Sequence, residues 1–396
     1  MLQKKTIEDI DLNQKRVLVR VDFNVPLNDA LEITDTLRID ASLPTINYLL
    51  SQHAKVILMS HLGRPKGMDD KLRMRPVYNY LKTKIKTNVF LATDCVGSEV
   101  EKMAMDLKSG EILLLENLRF HPEEEKNDPE FVQQLAKLGE IYVNDAFGTA
   151  HRSHASTEGV AHVLPAVAGY LMEKEINYLQ NTIDNPKHPF IAILGGKKVS
   201  DKILVLKQLL TKVNSILLGG GMVYTFFKAQ GKQIGNSIVD IPGIETAKEI
   251  MALAEKSGKK IIFPVDIITA KEIKQGTETK ICLIDDGIPD GWQGLDIGPK
   301  SVELFGKTIK ESRTILWNGP VGVFEIGTFA LGTKKIADII ANNSEAISII
   351  GGGDTASAVK EFGLESKITH ISTGGGASLE LLEGKILPGV KILQDK

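Results

Sequence analysis

The sequence predicts an α/β fold of two domains with mainly parallel sheets, and three observations support this. Short apolar runs alternate with longer amphipathic stretches along the whole chain, which is the pattern of βαβ units. The 396 residues exceed what one hydrophobic core usually supports. A helical pattern at 171–185, closed by Pro186 and Pro189, marks a boundary near the middle. We therefore expect the first domain at 1–171 and a second that begins at 172 with this helix.

Composition excludes several classes of protein. Hydrophobic residues make up 42% of the chain and charged residues 25%, as in ordinary soluble proteins. A net charge of −2 gives no global basic field, so we expect neither a nucleic acid nor a membrane as partner. No apolar run approaches the ~18 residues of a membrane span, and the N-terminal residues lack a signal-peptide core. Cys95 and Cys282 are too few for a disulfide framework and lack metal-ligand spacing, so we expect both to be structural. We expect a cytoplasmic protein with reduced thiols.

Polar and basic side chains follow the apolar runs of the first half. These runs are Val17–Phe23, Val56–Ser60, Ile112–Leu115 and Ile141–Val143. Their endings contain Asp22, Asn24, His61, Arg64, Arg119, His151 and Arg152, and Arg38 follows the first ending. In open α/β sheets, ligands bind at the carboxyl ends of the strands. One arginine alone would more simply pair with a carboxylate. Arginines at four strand ends favour a pocket for a small, highly anionic ligand, because each guanidinium offers a bidentate fork.

Glycines take the same positions in the second half. The runs there are Ile191–Leu194, Ile216–Leu218, Ile261–Val265, Ile281–Ile284, Thr314–Trp317, Ile347–Ile350 and Ile368–Ile371. Four of them lead into the glycine clusters 195–196, 219–221, 351–353 and 374–376. Backbone N–H groups and helix starts at such turns suit a nucleotide phosphate chain. Asp354, next to one cluster, is able to hold Mg²⁺ together with phosphate oxygens.

The stretch Ile191–Lys202 reads as a strand, a glycine turn and a helix. Lys198 and Lys202 are four apart, so both ammonium groups reach one side of the first turn if the helix begins near Ser200. Lysines at such a turn can equally be solvated surface charges. The P-loop pattern G-x-x-x-x-G-K-[ST] occurs nowhere in the chain, so any phosphate is bound by another arrangement.

Eight motifs, in order between about residues 16 and 378, resemble those of the phosphoglycerate kinase family. They are R-V-D-F-N-V-P (20–26), S-H-L-G-R-P (60–65), L-E-N-L-R-F (115–120), N-D-A-F-G-T-A-H-R (144–152), G-G-K-K-V-S-D-K (195–202), W-N-G-P-V-G-V-F-E (317–325), G-G-G-D-T (351–355) and S-T-G-G-G-A (372–377). The resemblance implies reversible transfer of the 1-phosphoryl group of 1,3-bisphosphoglycerate to Mg·ADP, giving 3-phosphoglycerate and Mg·ATP.

The resemblance also implies an architecture and a set of site residues. Two Rossmann-like domains would be joined by a helix with a cleft between them, the second ending near residue 378 and the tail at about 379–396 returning to the first. The triose-phosphate positions would be Asp22, Phe23, Asn24, Arg38, His61, Leu62, Gly63, Arg64, Arg119 and Arg152. The nucleotide positions would be Lys198, Lys202, Gly219, Gly220, Gly294, Asn318, Glu325, Gly352, Gly353, Asp354 and Thr355. Asp354 would hold Mg²⁺.

One residue departs from the family pattern. Lys197 stands where the family more often has a small residue before the motif lysine. It adds a positive charge beside the phosphate positions. Which of Lys197 and Lys198 faces the phosphates is left open.

We expect catalysis by alignment and charge stabilisation, because phosphoryl transfer passes through a loose transition state. Arg38 and Lys202 would flank the transferred group, while N–H groups around Gly375 and Gly376 share its charge. No nucleophile or general base is assigned, although His61 and His151 permit a phosphohistidine alternative. A rival interpretation is a non-catalytic adenine-nucleotide module, which would not need the arginines. A nicotinamide-dependent dehydrogenase is disfavoured because no G-x-G-x-x-G follows the first strand. A monomer is expected.

Overall fold

A computed structural model of the protein describes residues 3–396. The chain divides into two units. The first runs up to Asn177 and includes Ile386–Lys396, and the second is Tyr178–Lys385. The domain limits expected from the sequence, at residues 171 and 378, lie a few residues before these divisions.

The first unit is built on a parallel sheet. Among the described residues this sheet has six strands, in the order β3-β4-β2-β1-β5-β6. The strands are β1 (Arg16–Arg20), β2 (Lys55–Met59), β3 (Val89–Leu91), β4 (Ile112–Leu114), β5 (Ile141–Asn144) and β6 (Ala166–Ala168). Val17, Val19, Val56 and Leu58 are fully buried in the core. Because strands of a parallel sheet are covered on both faces, they read as continuous apolar runs, as the sequence shows.

Helices follow most of these strands. They are α1 (Leu37–Ser51), α2 (Arg75–Lys84), α3 (Ser98–Asp106), α4 (Glu123–Lys126) and α5 (Pro129–Ala136). Ile39, Ile46 and Leu49 of α1 pack into the same core as the strands. Asp128 caps α5 by accepting hydrogen bonds from two N–H groups of its first turn.

A helical segment links the two units. It consists of α6 (Tyr170–Glu175), a π-helical stretch (Ile176–Asn181) and α7 (Thr182–Asp184). The sequence predicts one regular helix over 171–185, and the π-helical middle is not visible in its pattern. The division between the units falls after Asn177, inside this stretch. π-Helical turns are rare and often mark functional positions.

The second unit is built on another parallel sheet. Among the described residues it has six strands, in the order β15-β14-β13-β7-β8-β9. The strands are β7 (Phe190–Leu194), β8 (Ser215–Leu218), β9 (Lys260–Ile262), β13 (Thr314–Asn318), β14 (Ile347–Gly351) and β15 (His370–Ile371). Trp317, Ile193 and Ile350 are fully buried at its centre. The prediction of two Rossmann-like domains with mainly parallel sheets is confirmed.

A small antiparallel sheet is the exception to the parallel pattern. It consists of β10 (Asp266–Ala270), β11 (Thr279–Leu283) and β12 (Gln293–Ile297), with β10 in the middle. The run Ile281–Ile284, which the sequence suggests as one more strand of the series, falls in edge strand β11. Ile281 is 60% exposed. Apolar runs alone do not distinguish an edge strand from a buried parallel one.

The helices of the second unit surround its main sheet. They are α8 (Ile203–Leu210), α9 (Val223–Ala229), α10 (Gly243–Lys256), α11 (Pro299–Glu311), α12 (Leu331–Ala341), α13 (Gly353–Glu361) and α14 (Gly375–Leu382). Phe305, Ile309 and Ile336, from α11 and α12, pack against the sheet. None of the helices within residues 3–396 is long and apolar enough to cross a membrane.

The C-terminal residues form part of the first unit. The short helix α15 (Pro388–Lys391) lies beside the loop that follows β5. Gly389 N–H donates to Ala150 O at 2.9 Å, and Asn144 Nδ2 donates to Gly389 O at 3.1 Å. The Lys4 ammonium donates to the carbonyl oxygens of Lys391 and Leu393. The tail is therefore held to the first unit by hydrogen bonds at Gly389, Lys391 and Leu393.

Candidate functional site

The first sheet brings the polar strand endings to one edge. Arg20, the last residue of β1, is in register with Met59 of β2 and with Asn144 of β5. Leu58 of β2 is in register with Leu114 of β4. Because β4, β2, β1 and β5 are neighbours and parallel, the segments that follow them start side by side.

Arg38 is anchored over the end of β1. Its Nη1 donates to Asp22 Oδ2 at 2.9 Å and to Asn24 O at 3.2 Å. The Asp22 side chain is 8% exposed, whereas that of Arg38 is 37% exposed. Asn24 Oδ1 in turn accepts the Gly63 N–H at 2.8 Å, which ties this segment to the one after β2. The guanidinium is thus held on one side and remains accessible on the other.

Asn117 joins the segments that follow β2 and β4. Its side chain accepts the N–H groups of Leu62 and Arg119, both at 3.1 Å, and donates to Leu62 O at 2.8 Å. Arg119 then donates through Nη1 to Gly63 O at 2.8 Å and pairs through Nε with Glu125 at 3.2 Å. Arg119 is buried, and its position depends on this hydrogen-bonded loop.

Arg20 is a buried cation that sequence reasoning passed over. It is 1% exposed and donates to Ser156 Oγ at 2.8 Å, to Val21 O, and to His61 Nδ1 at 3.1 Å. Ser156 Oγ donates to the fully buried Glu124 at 2.6 Å. The available signal was an arginine between valines in an apolar run, since a buried charge needs partners.

His61 lies close enough to four arginines for their positive charges to act on its ring. Burial lowers its pKa well below the usual value, and Arg20, Arg119, Arg152 and Arg38 lower it further. The ring is therefore neutral, with Nδ1 accepting from Arg20 and Nε2 carrying the hydrogen. The same surroundings act on His154, whose pKa is lowered to about 4, first by burial and then by Arg152, Arg119 and Arg20. The first unit thus brings three of the arginines that the sequence singles out, Arg38, Arg119 and Arg152, close to His61.

The remaining residues of this group differ in their burial. Arg152 is partly buried and donates through Nε to His151 Nε2 at 3.2 Å, while Arg64 is exposed. Phe23 and Leu62 are buried, and Phe23 N–H donates to Ser60 Oγ at 2.9 Å. Phe23 and Leu62 therefore contribute backbone position and packing to the edge.

The edge of the second sheet carries the glycine segments. Asn318, the last residue of β13, is in register with Gly351 of β14 and Leu194 of β7. Leu194 is in register with Leu218 of β8. The glycine clusters at 195 and 219 therefore follow the adjacent strands β7 and β8, and the cluster at 351 begins at the end of β14, which β13 separates from β7. All three lie at the same edge of the sheet.

Lys202 is the inward-facing lysine of its segment. Its Nζ donates to Asn318 O at 2.9 Å and to Asn318 Oδ1, and the residue is partly buried. Burial lowers the pKa of Lys202 to about 8, while Asp354 and Asp201 oppose the shift. Lys197 and Lys198 are both exposed, so burial does not distinguish them.

Three glycine turns pack against each other rather than standing open. A Cβ on Gly195 would lie 1.9 Å from Pro320 O, and one on Gly319 would lie 2.5 Å from the Gly195 carbonyl. Gly220 has φ +65° and would place a Cβ 2.7 Å from Gly196 N. The sequence explains glycines at these turns by the approach of a ligand. The structure gives a further reason, which is the close contact of one backbone segment with another.

The start of α13 is open in contrast. Gly352, with φ +88°, precedes the helix, and no atom lies within 4 Å of a Cβ built on Gly353. Asp354 is exposed in the first turn, and Thr355 Oγ1 accepts the Gly319 N–H at 2.7 Å. Asn318 Nδ2 is buried without a hydrogen-bond partner and lies 3.1 Å from where Gly351 would carry a Cβ. A buried orphan donor is costly unless a ligand accepts from it.

The other predicted nucleotide residues lie in different surroundings. Gly294 is in β12 of the antiparallel sheet, where a Cβ would lie 2.1 Å from the Tyr224 hydroxyl. Glu325 is exposed beyond β13. Gly375 begins α14, with nothing within 4 Å of its Cβ position, and Gly376 follows it in the first turn.

A family model described as phosphoglycerate kinase matches residues 7–385. The chain belongs to the phosphoglycerate kinase family. A relative named phosphoglycerate kinase from Dictyoglomus turgidum is 55% identical over 398 residues, covering 100% of both chains. A relative from Triticum aestivum named phosphoglycerate kinase, cytosolic, is 52% identical and covers 98% of both. The resemblance drawn from the eight motifs is confirmed.

A solved structure agrees with this assignment. The phosphoglycerate kinase from Coxiella burnetii superposes with a TM-score of 0.90 at 37% identity, covering 98% of both chains. A match of this extent includes both units, so the architecture described above is that of the phosphoglycerate kinase family.

Proposed function

We propose that the protein catalyses reversible transfer of the 1-phosphoryl group of 1,3-bisphosphoglycerate to Mg·ADP, giving 3-phosphoglycerate and Mg·ATP. The observation that carries the proposal is the convergence of Arg20, Arg38, Arg119 and Arg152 on a neutral His61 in a chain of this family. A ligand with a phosphate, a carboxyl group and a second phosphoryl group supplies the negative charge that such a cluster needs. A non-catalytic adenine-nucleotide module would have no use for it and is not favoured.

In the first unit, Arg38, Arg64, Arg119 and Arg152 bind the triose phosphate. The carboxylate Asp22 holds Arg38 at 2.9 Å and leaves part of its guanidinium exposed for substrate. His61 is neutral and already accepts from Arg20, so its role is to orient the ligand and not to become phosphorylated. The other members of this substrate group are Asp22, Phe23, Asn24, Leu62 and Gly63.

In the second unit, the nucleotide binds along the edge formed by the strand ends 194, 218, 318 and 351. The open start of α13 offers N–H groups to a phosphate, and Asn318 Nδ2 offers a buried donor. Lys202 lies beside that donor and provides a charge. The remaining members of this nucleotide group are Lys198, Gly219, Gly220, Gly294, Glu325, Gly352, Gly353 and Thr355.

Asp354 is the residue that would hold Mg²⁺. Its carboxylate is exposed in the first turn of α13, beside an unobstructed Gly353, so a hard oxygen ligand stands next to the phosphate position. When bound, Mg²⁺ neutralises charge on the phosphate oxygens. The residues of the chain then align the two substrates without forming a covalent intermediate.

Arg38 belongs to the first unit and Lys202 to the second, and both are proposed to flank the transferred group together with the N–H groups near Gly375 and Gly376. In-line transfer therefore requires the units to close around both substrates and exclude water. X-ray scattering should show a smaller radius of gyration with 3-phosphoglycerate and Mg·ATP together than with either alone. An unchanged radius would contradict closure.

The test of the activity is a coupled assay for ATP formation from ADP and 1,3-bisphosphoglycerate. ATP should appear in proportion to the protein added and should depend on Mg²⁺. A protein that binds ADP but forms no ATP would favour the non-catalytic module instead. We further propose that the enzyme acts in the cytoplasm, which the name of the Triticum aestivum relative supports. We also propose that it is a monomer.

A further inference from the structure

Three side chains with different donor atoms meet in the first unit beside the turn that carries Arg119. Asp94 and Cys95 follow β3, and His121 follows the turn Leu118–Phe120. The Asp94 Oδ1, Cys95 Sγ and His121 Nε2 atoms all lie within 4.8 Å of one another. His121 Nε2 and Asp94 Oδ1 are 2.6 Å apart. The activity proposed above makes no use of these groups.

The cluster is held in place by its neighbours. The Cys95 N–H donates to Asp94 Oδ1 at 2.6 Å, which turns the carboxylate towards the thiol. The ring of His121 packs on Phe131 with centroids 5.4 Å apart. The Cys95 thiol is fully buried, whereas the side chains of Asp94 and His121 are 40% and 28% exposed. An ion would therefore enter from the solvent side of the Asp94–His121 pair and meet the sulfur below it.

The electrostatic surroundings are negative. Burial raises the pKa of the Cys95 thiol well above its usual value, and the Asp94 and Glu124 carboxylates raise it further. The Asp94 hydrogen bond raises the pKa of His121, with a smaller contribution from Glu123. These carboxylates destabilise a thiolate at Cys95 because both groups are negative. For the same reason they would attract a cation to this place.

We propose that Asp94, Cys95 and His121 form a binding site for one borderline-soft divalent metal ion, with Zn²⁺ the best fit. Zinc binds thiolate, imidazole and carboxylate ligands at about 2.0–2.3 Å and is tetrahedral. Ligand atoms then lie roughly 3–4 Å apart, so the present cluster needs shifts of about an ångström. The partly exposed side chains of Asp94 and His121 can supply these by rotation, and water completes the fourth position. Mg²⁺ is excluded because it prefers oxygen ligands alone.

Binding changes the protonation of the cluster. The ion takes the place of the thiol proton of Cys95 and of the proton between His121 and Asp94, and the released protons go to solvent. No oxidant or reductant takes part. Metal affinity should therefore rise with pH until these groups have lost their protons.

The chain supplies matched controls. His162 Nε2 and Glu158 Oε1 form a similar pair at 2.7 Å. Among the described residues, this pair does not belong to a group of possible metal ligands that contains a thiol. Cys282 is a partly buried thiol in the second unit, 3.5 Å from Thr269 Oγ1. Replacing His162 or Cys282 should leave metal binding unchanged.

The experiment is a titration of the chelator-treated full-length protein with Co²⁺, followed by displacement with Zn²⁺. We expect one equivalent of Co²⁺ and a thiolate-to-cobalt charge-transfer band in the near ultraviolet. Zn²⁺ should abolish the band and excess Mg²⁺ should not. Cys95→Ser should lose the band, and His121→Ala should weaken Zn²⁺ binding at least 10–100-fold. His162→Ala and Cys282→Ser should behave as the parent protein.

Three results would overturn the proposal. They are the absence of the band in the parent protein, its persistence in Cys95→Ser, and equal Zn²⁺ affinity in His121→Ala. The parent spectrum decides the question even if a variant folds poorly, and circular dichroism identifies such a variant. Thermal denaturation provides a second measurement, since Zn²⁺ should raise the melting temperature of the parent and of His162→Ala but not of Cys95→Ser.

Discussion

The two units contain similar parallel sheets, but different chemical groups lie at the carboxyl ends of their strands. In the first unit, buried arginines and an asparagine-centred network fix charged side chains at the strand ends. In the second, glycine turns pack backbone on backbone, and Lys202 is the cation tied to the strand end at Asn318. The first arrangement suits the small, dense anion proposed above. The second suits the longer phosphate chain of the proposed nucleotide.

The difference also concerns what fixes each site. Side chains at the first edge depend on carboxylates such as Asp22 and Glu124, which are buried and therefore well positioned. The second edge depends on the absence of side chains at Gly195, Gly220 and Gly319. A mutation should therefore damage the first edge by removing a group and the second by adding one.

The largest effect is expected from removing one cation of each unit. Arg38→Ala and Lys202→Ala should each lower kcat by about 10²–10⁵, the range for one group that stabilises transition-state charge. Steady-state kinetics of ATP formation measure it. Arg75→Ala and Lys256→Ala, which change exposed cations of the first and second units, serve as controls. Losses below tenfold at both Arg38 and Lys202 would show that the proposed site is misplaced.

A second prediction concerns a feature present in both units, a buried aspartate that accepts a backbone N–H at the start of a helix. Asp145 accepts the N–H of Leu171 at the start of α6, and Asp296 accepts the N–H of Gly332 at the start of α12. Burial raises the pKa of each carboxyl group to about 7. An unfolded aspartate loses its proton near pH 4, so each folded group holds a proton that the unfolded chain has lost. The contribution of these two groups to the free energy of unfolding should therefore be largest below about pH 4. It should fall as the pH rises from about 4 to about 7.

The size of this effect is roughly 2–4 kcal/mol for each aspartate, from about 1.4 kcal/mol per pKa unit. Asp145→Asn and Asp296→Asn keep the accepting oxygen and should flatten the pH dependence of the free energy of unfolding. Both tryptophans, Trp292 and Trp317, belong to the second unit, so fluorescence follows that unit while circular dichroism follows both. An unchanged slope between pH 4 and 7 in both variants would contradict the assignment.

A third prediction compares one glycine from each unit at nearly the same backbone angle. Gly63 has φ +66° and Gly220 has φ +65°. A Cβ at Gly63 would meet the methyl groups of Leu72 at 2.8 and 2.9 Å, which can move, whereas one at Gly220 would meet the backbone of Gly196 and Pro320. Gly220→Ala should cost about 1–3 kcal/mol more than Gly63→Ala. It should also raise KM for ADP about tenfold. Denaturant unfolding and ADP kinetics test this, and equal costs would mean that the glycine turns are not close-packed.

The sequence predicted the parallel sheets and the two kinds of strand ending because both are local patterns. It missed β3 and β6, which are only three residues each, and it missed β10 and β12, whose apolar residues are interrupted by the buried polar residues Asp266, Thr269 and Asp296. It also missed the π-helical stretch, because backbone hydrogen bonding there leaves the apolar pattern unchanged. These elements depend on tertiary contacts, which a pattern along the chain does not record.

The candidate site was predictable to a different degree in each unit. The sequence singles out Arg38, His61 and Arg119 because polar and basic residues after apolar runs stand out, and their role in binding stays a prediction. It does not single out Arg20 and Asn117, which position them, since nothing local reveals that a side chain is shared by two loops. In the second unit the glycines were found, but their packing against each other requires knowing that the turns after β7, β8 and β13 are neighbours.

The smallest effect is expected on the pH dependence of the rate when Lys202 is replaced by arginine. Lys202 has a pKa lowered to about 8 by burial, so it loses its charge in the free enzyme as the pH rises above that value. The value of kcat/KM for Mg·ADP should therefore fall about tenfold per pH unit above pH 8. Lys202→Arg should remove this decline even if its rate is lower, because a guanidinium keeps its proton. Rates at constant ionic strength between pH 7 and 9.5 measure it, with Lys256→Arg as the control. A decline that persists in Lys202→Arg would assign the ionisation to another group and would contradict a requirement for the charge of Lys202.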